Sequence, residues 1–458
     1  MDSLDIGDGG PVLLFGPTGC GKTTLLRSFN GLIPHYYGGT MGGRVWVDGM
    51  DTREHPPSDI SRVAGTVFQD PENQFLMLSV SEEIAFGLRN AGMGESEVRR
   101  EARGIAEAVG VLDLMDRNIF ELSSGQRQLV AIASTMASSP SYLLLDEPTS
   151  QLDSHNAEAV MSRLRRMCSE RETTAIISEH RIERSARYCS RFIGMEKGKV
   201  SLDGEFPEVK EWFASRGVSL DGRAGKVESN SGDTVLKLDG VGISYGEKPV
   251  LDDVSIAVRE GELTALVGPN GSGKTTLLKS VMNFIPGRKG RVFLDGRDIT
   301  DLPPHVIGRS VGYLSHTPLS YLFQPTLREE MLFTLRHRGA GSGSDGNELI
   351  VAATALGLTD KLDLFPRDFS CGERELAAIA CTVIGDVRCL LLDEPTRGMD
   401  YWRKDDFMKV VHELVGRKRI AVLMATHDIP LVRKWAGTAL QVQDGEVKET
   451  DAASLRET

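Results

Sequence analysis

The chain has 458 residues, room for two to four domains, and its 40% hydrophobic and 26% charged residues are those of an ordinary globular protein. Its 53 Lys and Arg stand against 65 Asp and Glu, a net charge of −12, and no basic stripe stands out, which argues against nucleic acid as a partner bound by charge. No run approaches the roughly 18 apolar residues of a membrane span, and the N-terminus lacks the basic-then-apolar layout of a signal peptide. The six cysteines (20, 168, 189, 371, 381 and 389) include no C-x-x-C pair, so they read as reduced thiols rather than a disulfide framework or zinc site.

In chain order, the first chemical signal is Gly16, Pro17, Thr18, Gly19, Cys20, Gly21, Lys22 and Thr23, set between a strand-like Val12-Leu13-Leu14-Phe15 and a helix-like Thr24-Leu25-Leu26-Arg27. Glycines at these positions let backbone N–H groups turn inward as an anion nest at a helix N-terminus. Lys22 is then placed to reach the β- and γ-phosphates, and the Thr23 hydroxyl to ligate Mg²⁺. A Gly-rich loop follows at 34–43, then Gln69 in Val67-Phe68-Gln69-Asp70-Pro71-Glu72-Asn73-Gln74-Phe75. Helical patterns occupy Ser81 to Glu121, and Leu122-Ser123-Ser124-Gly125-Gln126 opens another helix, with Ser123 as its N-cap. The apolar Tyr142-Leu143-Leu144-Leu145 reads as a buried strand ending in two acids, Asp146 and Glu147. Strand alternation predicts that their carboxylates point to opposite sides, Asp146 holding Mg²⁺ and Glu147 polarising the attacking water.

Everything in this half returns. Gly268, Pro269, Asn270, Gly271, Ser272, Gly273, Lys274, Thr275 and Thr276 repeat the loop that ends in Lys22, Thr23 and Thr24. Asp393-Glu394 answers Asp146-Glu147 at an offset of 247, and Ser370 with Ser123, His427 with His180 and His316 with Gln69 share that offset. The spacing from lysine to Gln69 is 69 − 22 = 47 against 316 − 274 = 42 in the second half, so the first half carries an insertion, placed at 34–43. This is a tandem duplication: a first domain at 1–218, a Gly/Ser/charged linker at 219–233 typically spanning about 20 Å, and a second domain at 234–458. Alternating strand and helix patterns predict an α/β fold with a mainly parallel sheet in each.

The order of loop, glutamine, signature, acid pair, Ser150-Gln151-Leu152-Asp153 and histidine resembles that of ATP-binding-cassette (ABC) ATPases, over essentially the whole chain. The resemblance implies tandem P-loop NTPase domains, each with a helical subdomain and a small antiparallel β subdomain. It also implies ATP and Mg²⁺ as ligands and head-to-tail pairing of the two domains within the chain. Site one would combine Lys22, Thr23, Gln69, Asp146, Glu147 and His180 with Ser370 and Gly372. Site two would combine Lys274, Thr275, Asp393, Glu394 and His427 with Ser123, Gly125 and Gln126. His180 and His427 would contact the γ-phosphate, Gln69 would join the metal and catalytic set, and Asp153 and Asp400 would report across the interface.

Four departures mark the copies as unequal. The second signature reads Phe369-Ser370-Cys371-Gly372-Glu373, with an acid in place of Gln126 that would weaken site one modestly or be screened. His316 replaces the glutamine and offers a nitrogen where Gln69 offers a carbonyl oxygen. Asp400 sits in the less regular Arg397-Gly398-Met399-Asp400. Tyr245 matches the family's adenine-stacking aromatic, but its counterpart would precede Met1, so in the first cassette that strand is either lost or coded upstream of the start. Tyr36 and Tyr37, after the P-loop helix, are poor replacements.

The Gln69 to Phe75 stretch, with Glu82-Glu83-Ile84-Ala85-Phe86-Gly87 after it, resembles the ATPases of energy-coupling-factor (ECF) importers of vitamins or cobalt and nickel ions. That implies a transmembrane coupling subunit, a substrate-binding membrane subunit, and a peripheral place on the cytoplasmic side of the cell membrane. Asp70 and Glu72 are candidates to meet basic coupling-helix residues. The alternatives are the tandem ATPase of another ABC importer, such as one for sugars, or a soluble tandem ABC factor acting on ribosomes or DNA.

Overall fold

The computed structural model describes residues 3–7, 10–150, 152–171, 173–218, 232–246, 248–315, 317–339, 345–369 and 371–455. The chain divides into two compact units, Met1–Leu220 and Asp221–Thr458. The boundary lies within the stretch read as a linker, most of which (219–231) is outside the described residues.

The first unit is built on a six-stranded sheet in the order Ala64–Val67, Tyr142–Asp146, Thr174–Ser178, Val12–Phe15, Arg191–Glu196, Lys199–Gly204. The first five are parallel and the last pairs antiparallel at the edge. Four of the parallel strands are almost wholly apolar and buried, as strands covered by helices on both faces must be. The second unit repeats the order with Val311–Leu314, Cys389–Asp393, Ala421–Thr426, Leu263–Val267, Thr438–Gln443, Glu446–Thr450. In both, the phosphate loop, the acid pair and the histidine leave the carboxyl ends of neighbouring strands, where open α/β sheets bind ligands.

Each unit adds three helices on one side: Val80–Asn90, Glu95–Val109 and Ser124–Met136 in the first, Leu327–Arg338, Asp345–Ala355 and Cys371–Val383 in the second. The small antiparallel sheet is unequal. In the second unit it has four strands, Lys248–Arg259, Thr234–Tyr245, Lys289–Leu294 and Arg297–Asp298. In the first, among the described residues, Trp46–Val47 pairs only with Met50–Asp51. Leu277, Val281, Leu391 and Leu423 share a core with that four-stranded sheet. Their counterparts Leu25, Phe29, Leu144 and Ile176 cluster with Val47 and Met50 and also line a cleft of 490 Å³.

Candidate functional site

The two phosphate loops have one geometry. Gly16 carries φ 144° and a Cβ there would fall 2.2 Å from the Met195 carbonyl oxygen, while at Gly268 it would fall 2.6 Å from that of Val442. Glycine is therefore required for the loop to lie against the neighbouring strand's exit. The helices Lys22–Phe29 and Lys274–Val281 begin at left-handed Gly21 and Gly273, with no side-chain cap and no acid in the first turn. Their first N–H groups and helix dipoles are thus offered to an anion. Lys22 Nζ donates to Gly16 O at 2.9 Å and Lys274 Nζ to Gly268 O at 2.8 Å, so each ammonium is held over its own loop. Thr18, Gly19, Cys20, Asn270, Gly271 and Ser272 form the turns between, and the buried Ser272 hydroxyl has no partner among the described residues. A glycine cradle with uncapped helix N-termini and a captive lysine fits a polyphosphate.

Behind each loop stands a carboxylate. Thr23 Oγ1 donates to Asp146 Oδ1 at 3.2 Å, and Thr275 Oγ1 to Asp393 Oδ1 at 2.9 Å. An all-oxygen pair of hydroxyl and carboxylate beside a phosphate cradle suits Mg²⁺, which takes few protein ligands and completes its shell with water and phosphate.

The acids diverge for a reason the strand period did not supply. The strands end at Asp146 and Asp393, and the next residues, Glu147 and Glu394, take left-handed φ of 52° and 51°. The turn, rather than alternation, aims the two carboxylates differently. A left-handed non-glycine residue persists only where its surroundings over-determine it, and such residues cluster at functional sites. Glu147 N donates to Ser178 O at 3.0 Å and Glu394 N to Ala425 O at 2.9 Å. In the first unit Gln69 Nε2 donates to Glu147 Oε2 at 2.9 Å and His180 Nε2 lies 2.7 Å from Oε1. In the second, His427 engages Glu394 through Nδ1, at 2.9 Å. His316, the counterpart of Gln69, lies outside the described residues.

Ser123 is an N-cap as expected. Its hydroxyl accepts from Gln126 N at 3.3 Å while Gln126 Oε1 accepts from Ser123 N at 3.0 Å, closing a capping box. Gly125 lies against Asn156, and Gly372 against Arg403. Ser370 lies outside the described residues, as does the side chain of Tyr245, whose backbone closes the strand Thr234–Tyr245. Glu373, the acid in the altered signature, sits 3.3 Å from Lys361 Nζ, so its charge is countered within its own unit. Asp153 and Asp400 are buried. Asp153 Oδ1 accepts from Asn156 N and Asp400 Oδ1 from Arg403 N, each at 2.9 Å, where they start the helices Ser154–Arg171 and Tyr401–Lys418.

Sequence reasoning passed over several residues. Glu179 is buried against the site, accepting from Thr149 N at 2.7 Å and Thr149 Oγ1 at 2.6 Å; burial pushes its carboxyl above the usual range. Its signal was an acid inside an apolar strand exit, next to His180. Glu83 Oε2 accepts from Leu76 N and Met77 N at 2.9 and 2.8 Å, and Glu330 Oε2 does the same for Phe323 N and Gln324 N. Gln74 Oε1 accepts from Phe68 N at 3.1 Å, and Tyr321 fills that role for Ser315 N at 2.9 Å. Glu72, a candidate to meet a partner's basic residues, pairs with Arg127 at 2.9 Å and stays exposed.

A phosphate cradle, a hydroxyl–carboxylate pair behind it and a glutamate gripped by a histidine, twice in one chain, define a tandem P-loop ATPase. The sequence profile described as ABC transporter matches residues 2–150 and 251–397, and the chain belongs to that family as an ATP-binding, ATP-hydrolysing subunit with two tandem domains. It is 30% identical over 96% of its length, and 86% of the relative's, to YkoD of Bacillus subtilis, provisionally named an HMP/thiamine import ATP-binding protein. It is 31% identical to an ABC transporter ATP-binding protein of Methanosarcina mazei, also provisionally named, covering 98% of this chain and 91% of that one. Among solved structures, the ribosome-bound archaeal Pelota and ABCE1 assembly aligns over 97% of this chain and 75% of that one, with a TM-score of 0.69 at 20% identity, a likeness of fold. Among the described residues no helix is long and apolar enough to cross a membrane.

Proposed function

We propose that this chain is the energising subunit of an ECF-type importer for a vitamin or a transition-metal ion, hydrolysing ATP at two composite sites. In this reading the domains pair head to tail, with Lys22, Gln69, Asp146, Glu147 and His180 opposite Ser370 and Gly372. Lys274, Asp393, Glu394 and His427 stand opposite Ser123, Gly125 and Gln126. Glu147 and Glu394 take the proton of the attacking water, while His180 and His427 hold each glutamate and the γ-phosphate in register. Thr23 and Asp146, or Thr275 and Asp393, would hold Mg²⁺, whose positive charge would offset that of the phosphates.

The observation that carries the importer reading is the surface after Gln69. Pro71–Gln74 forms a short 3₁₀ turn pinned by Gln74 and Glu83, and around it Phe68, Leu76, Leu78 and Phe120 are exposed. Phe323, Phe333, Leu364 and Phe365 are exposed in the corresponding part of the second unit. A rigid turn rimmed by apolar side chains suits a membrane subunit's helix laid against it. The membrane partners are a coupling subunit and a substrate-binding subunit, and the chain works peripherally on the cytoplasmic face. The names of the relatives, an import ATPase among them, agree with this.

The test is co-purification with polytopic membrane proteins encoded beside its gene, then ATP-driven uptake of labelled thiamine precursors, other vitamins, or cobalt and nickel in proteoliposomes. Sedimentation with ribosomes and no membrane partner would sink the importer reading and leave the ATPase in place.

A further inference from the structure

The strands that carry Asp146 and His180 are neighbours, and Asp146 is in register with Ser178. Ser178 is wholly buried and donates its hydroxyl to Asp146 Oδ1 at 2.6 Å, in the short range of a hydroxyl bonded to an ionised carboxylate. The same hydroxyl oxygen accepts from Glu147 N at 3.2 Å, alongside the Ser178 carbonyl at 3.0 Å. One side chain therefore joins the acid assigned to Mg²⁺ to the turn that presents the acid assigned as base.

In the second unit the register places Ala425 opposite Asp393, and no hydroxyl is available there. The Tyr313 phenol reaches the carboxylate instead, donating to Asp393 Oδ2 at 3.4 Å, near the long limit of a hydrogen bond, while Thr275 holds Oδ1 at 2.9 Å. Thr23 and Ser178 converge on one oxygen of Asp146, whereas Thr275 and Tyr313 reach different oxygens of Asp393. Tyr313 makes no bond to the Glu394 turn among the contacts described.

We propose that Ser178 is a positioning residue for ATP hydrolysis, tying Asp146 to the left-handed turn at Glu147. Ala425 at its place supplies no hydroxyl to the second acid pair, so the two sites turn over unequally. The inference rests on the roles assigned to Asp146 and Glu147 above.

The experiment uses the full chain with Glu394→Gln, so that the remaining turnover depends on Glu147. Ser178→Ala folds, because the second unit carries alanine at the register-equivalent place. It is expected to lower kcat about tenfold, the weight of one hydrogen bond to a charged group, with KM for ATP changed less than about twofold. In the Glu147→Gln, Glu394→Gln chain with Lys274→Ala, it is also expected to raise about threefold the Mg²⁺ concentration that half-saturates binding of a fluorescent ATP analogue. Ser178→Thr, which keeps the hydroxyl, restores both. Unchanged kcat and Mg²⁺ dependence in Ser178→Ala would overturn the inference, as would a Ser178→Thr variant no better than alanine. Turnover surviving in the Glu147→Gln, Glu394→Gln chain would overturn the base assignment, a failure distinct from a silent Ser178→Ala.

Discussion

Glu147 presents one carboxylate oxygen to His180 Nε2 at 2.7 Å and the other to Gln69 Nε2 at 2.9 Å, so the side chain is held from two elements. Glu394 meets His427 through the other ring nitrogen, Nδ1, at 2.9 Å. The same two residue types thus meet in two different ring orientations. Preorganised partners of this sort keep a base in place at no cost during the reaction.

Changing both glutamates to glutamine is expected to lower steady-state ATP hydrolysis by at least about 10²-fold, the usual weight of a positioned base, while binding of a fluorescent ATP analogue persists. The single variants are expected to leave different residual rates, because Glu147 is held by a glutamine, a histidine and Ser178, and Glu394 by a different set. Equal residual rates would show the asymmetry to be without effect.

Glu83 is buried and anchors the turn after Gln69 through two backbone N–H groups. Glu83→Ala leaves those donors unmatched, and a loss of about 2 kcal/mol is expected in the urea unfolding of the first unit. Importer activity is expected to fall further than ATP binding, since the turn carries the proposed docking surface. An unfolding curve superimposable on that of the parent would contradict the anchoring role.

Glu375 is buried in the signature helix of the second unit with Oε2 unpartnered among the described residues, and burial pushes its carboxyl up to about 8. In the unfolded chain the group titrates near its ordinary 4.5, so between these values the folded state binds the proton and the unfolded state does not. Stability therefore falls as pH rises through this window. Glu375→Gln, which copies the register-equivalent Gln128, is expected to raise Tm, with the gain over the parent growing from pH 5 to pH 8 and levelling above. Thermal scans across that range check it, and a gain independent of pH would refute it.

Lys361 lies 3.3 Å from Glu373 where the first signature has Gln126. With Lys274→Ala removing the second P-loop, Lys361→Ala is expected to weaken ATP binding at the Lys22 site two- to threefold, the scale of a half-exposed ion pair. Glu373→Gln is expected to reverse that loss. Titration with the fluorescent analogue at low ionic strength decides between this and no change.

Much of this architecture was legible beforehand because its signals are local. A loop that needs several glycines before a lysine, a leucine run ending in two acids and a serine that caps a helix each need only their own segment, and each recurs at a fixed offset. The antiparallel subdomain was less legible. Among the described residues its first copy is Trp46–Val47 against Met50–Asp51, beside a cleft, and no short-range pattern marks a sheet of that size. The divergence of the acid pair comes from a left-handed turn rather than from strand period, and turn geometry at a non-glycine residue is imposed by neighbours.

By itself the sequence determined the duplication, the α/β class, the phosphate loops and the identity of the acids, because spacing along one chain specifies them. Only the tertiary structure decided which donors hold each acid. Ser178 and Ala425 are reached from Asp146 and Asp393 across a strand ladder, over 32 residues of chain in each unit. Tyr313 reaches Asp393 from the opposite neighbouring strand. Hydrogen bonds between parallel strands join residues that crossover helices keep far apart in sequence, so the inequality of the two sites is written in the sheet.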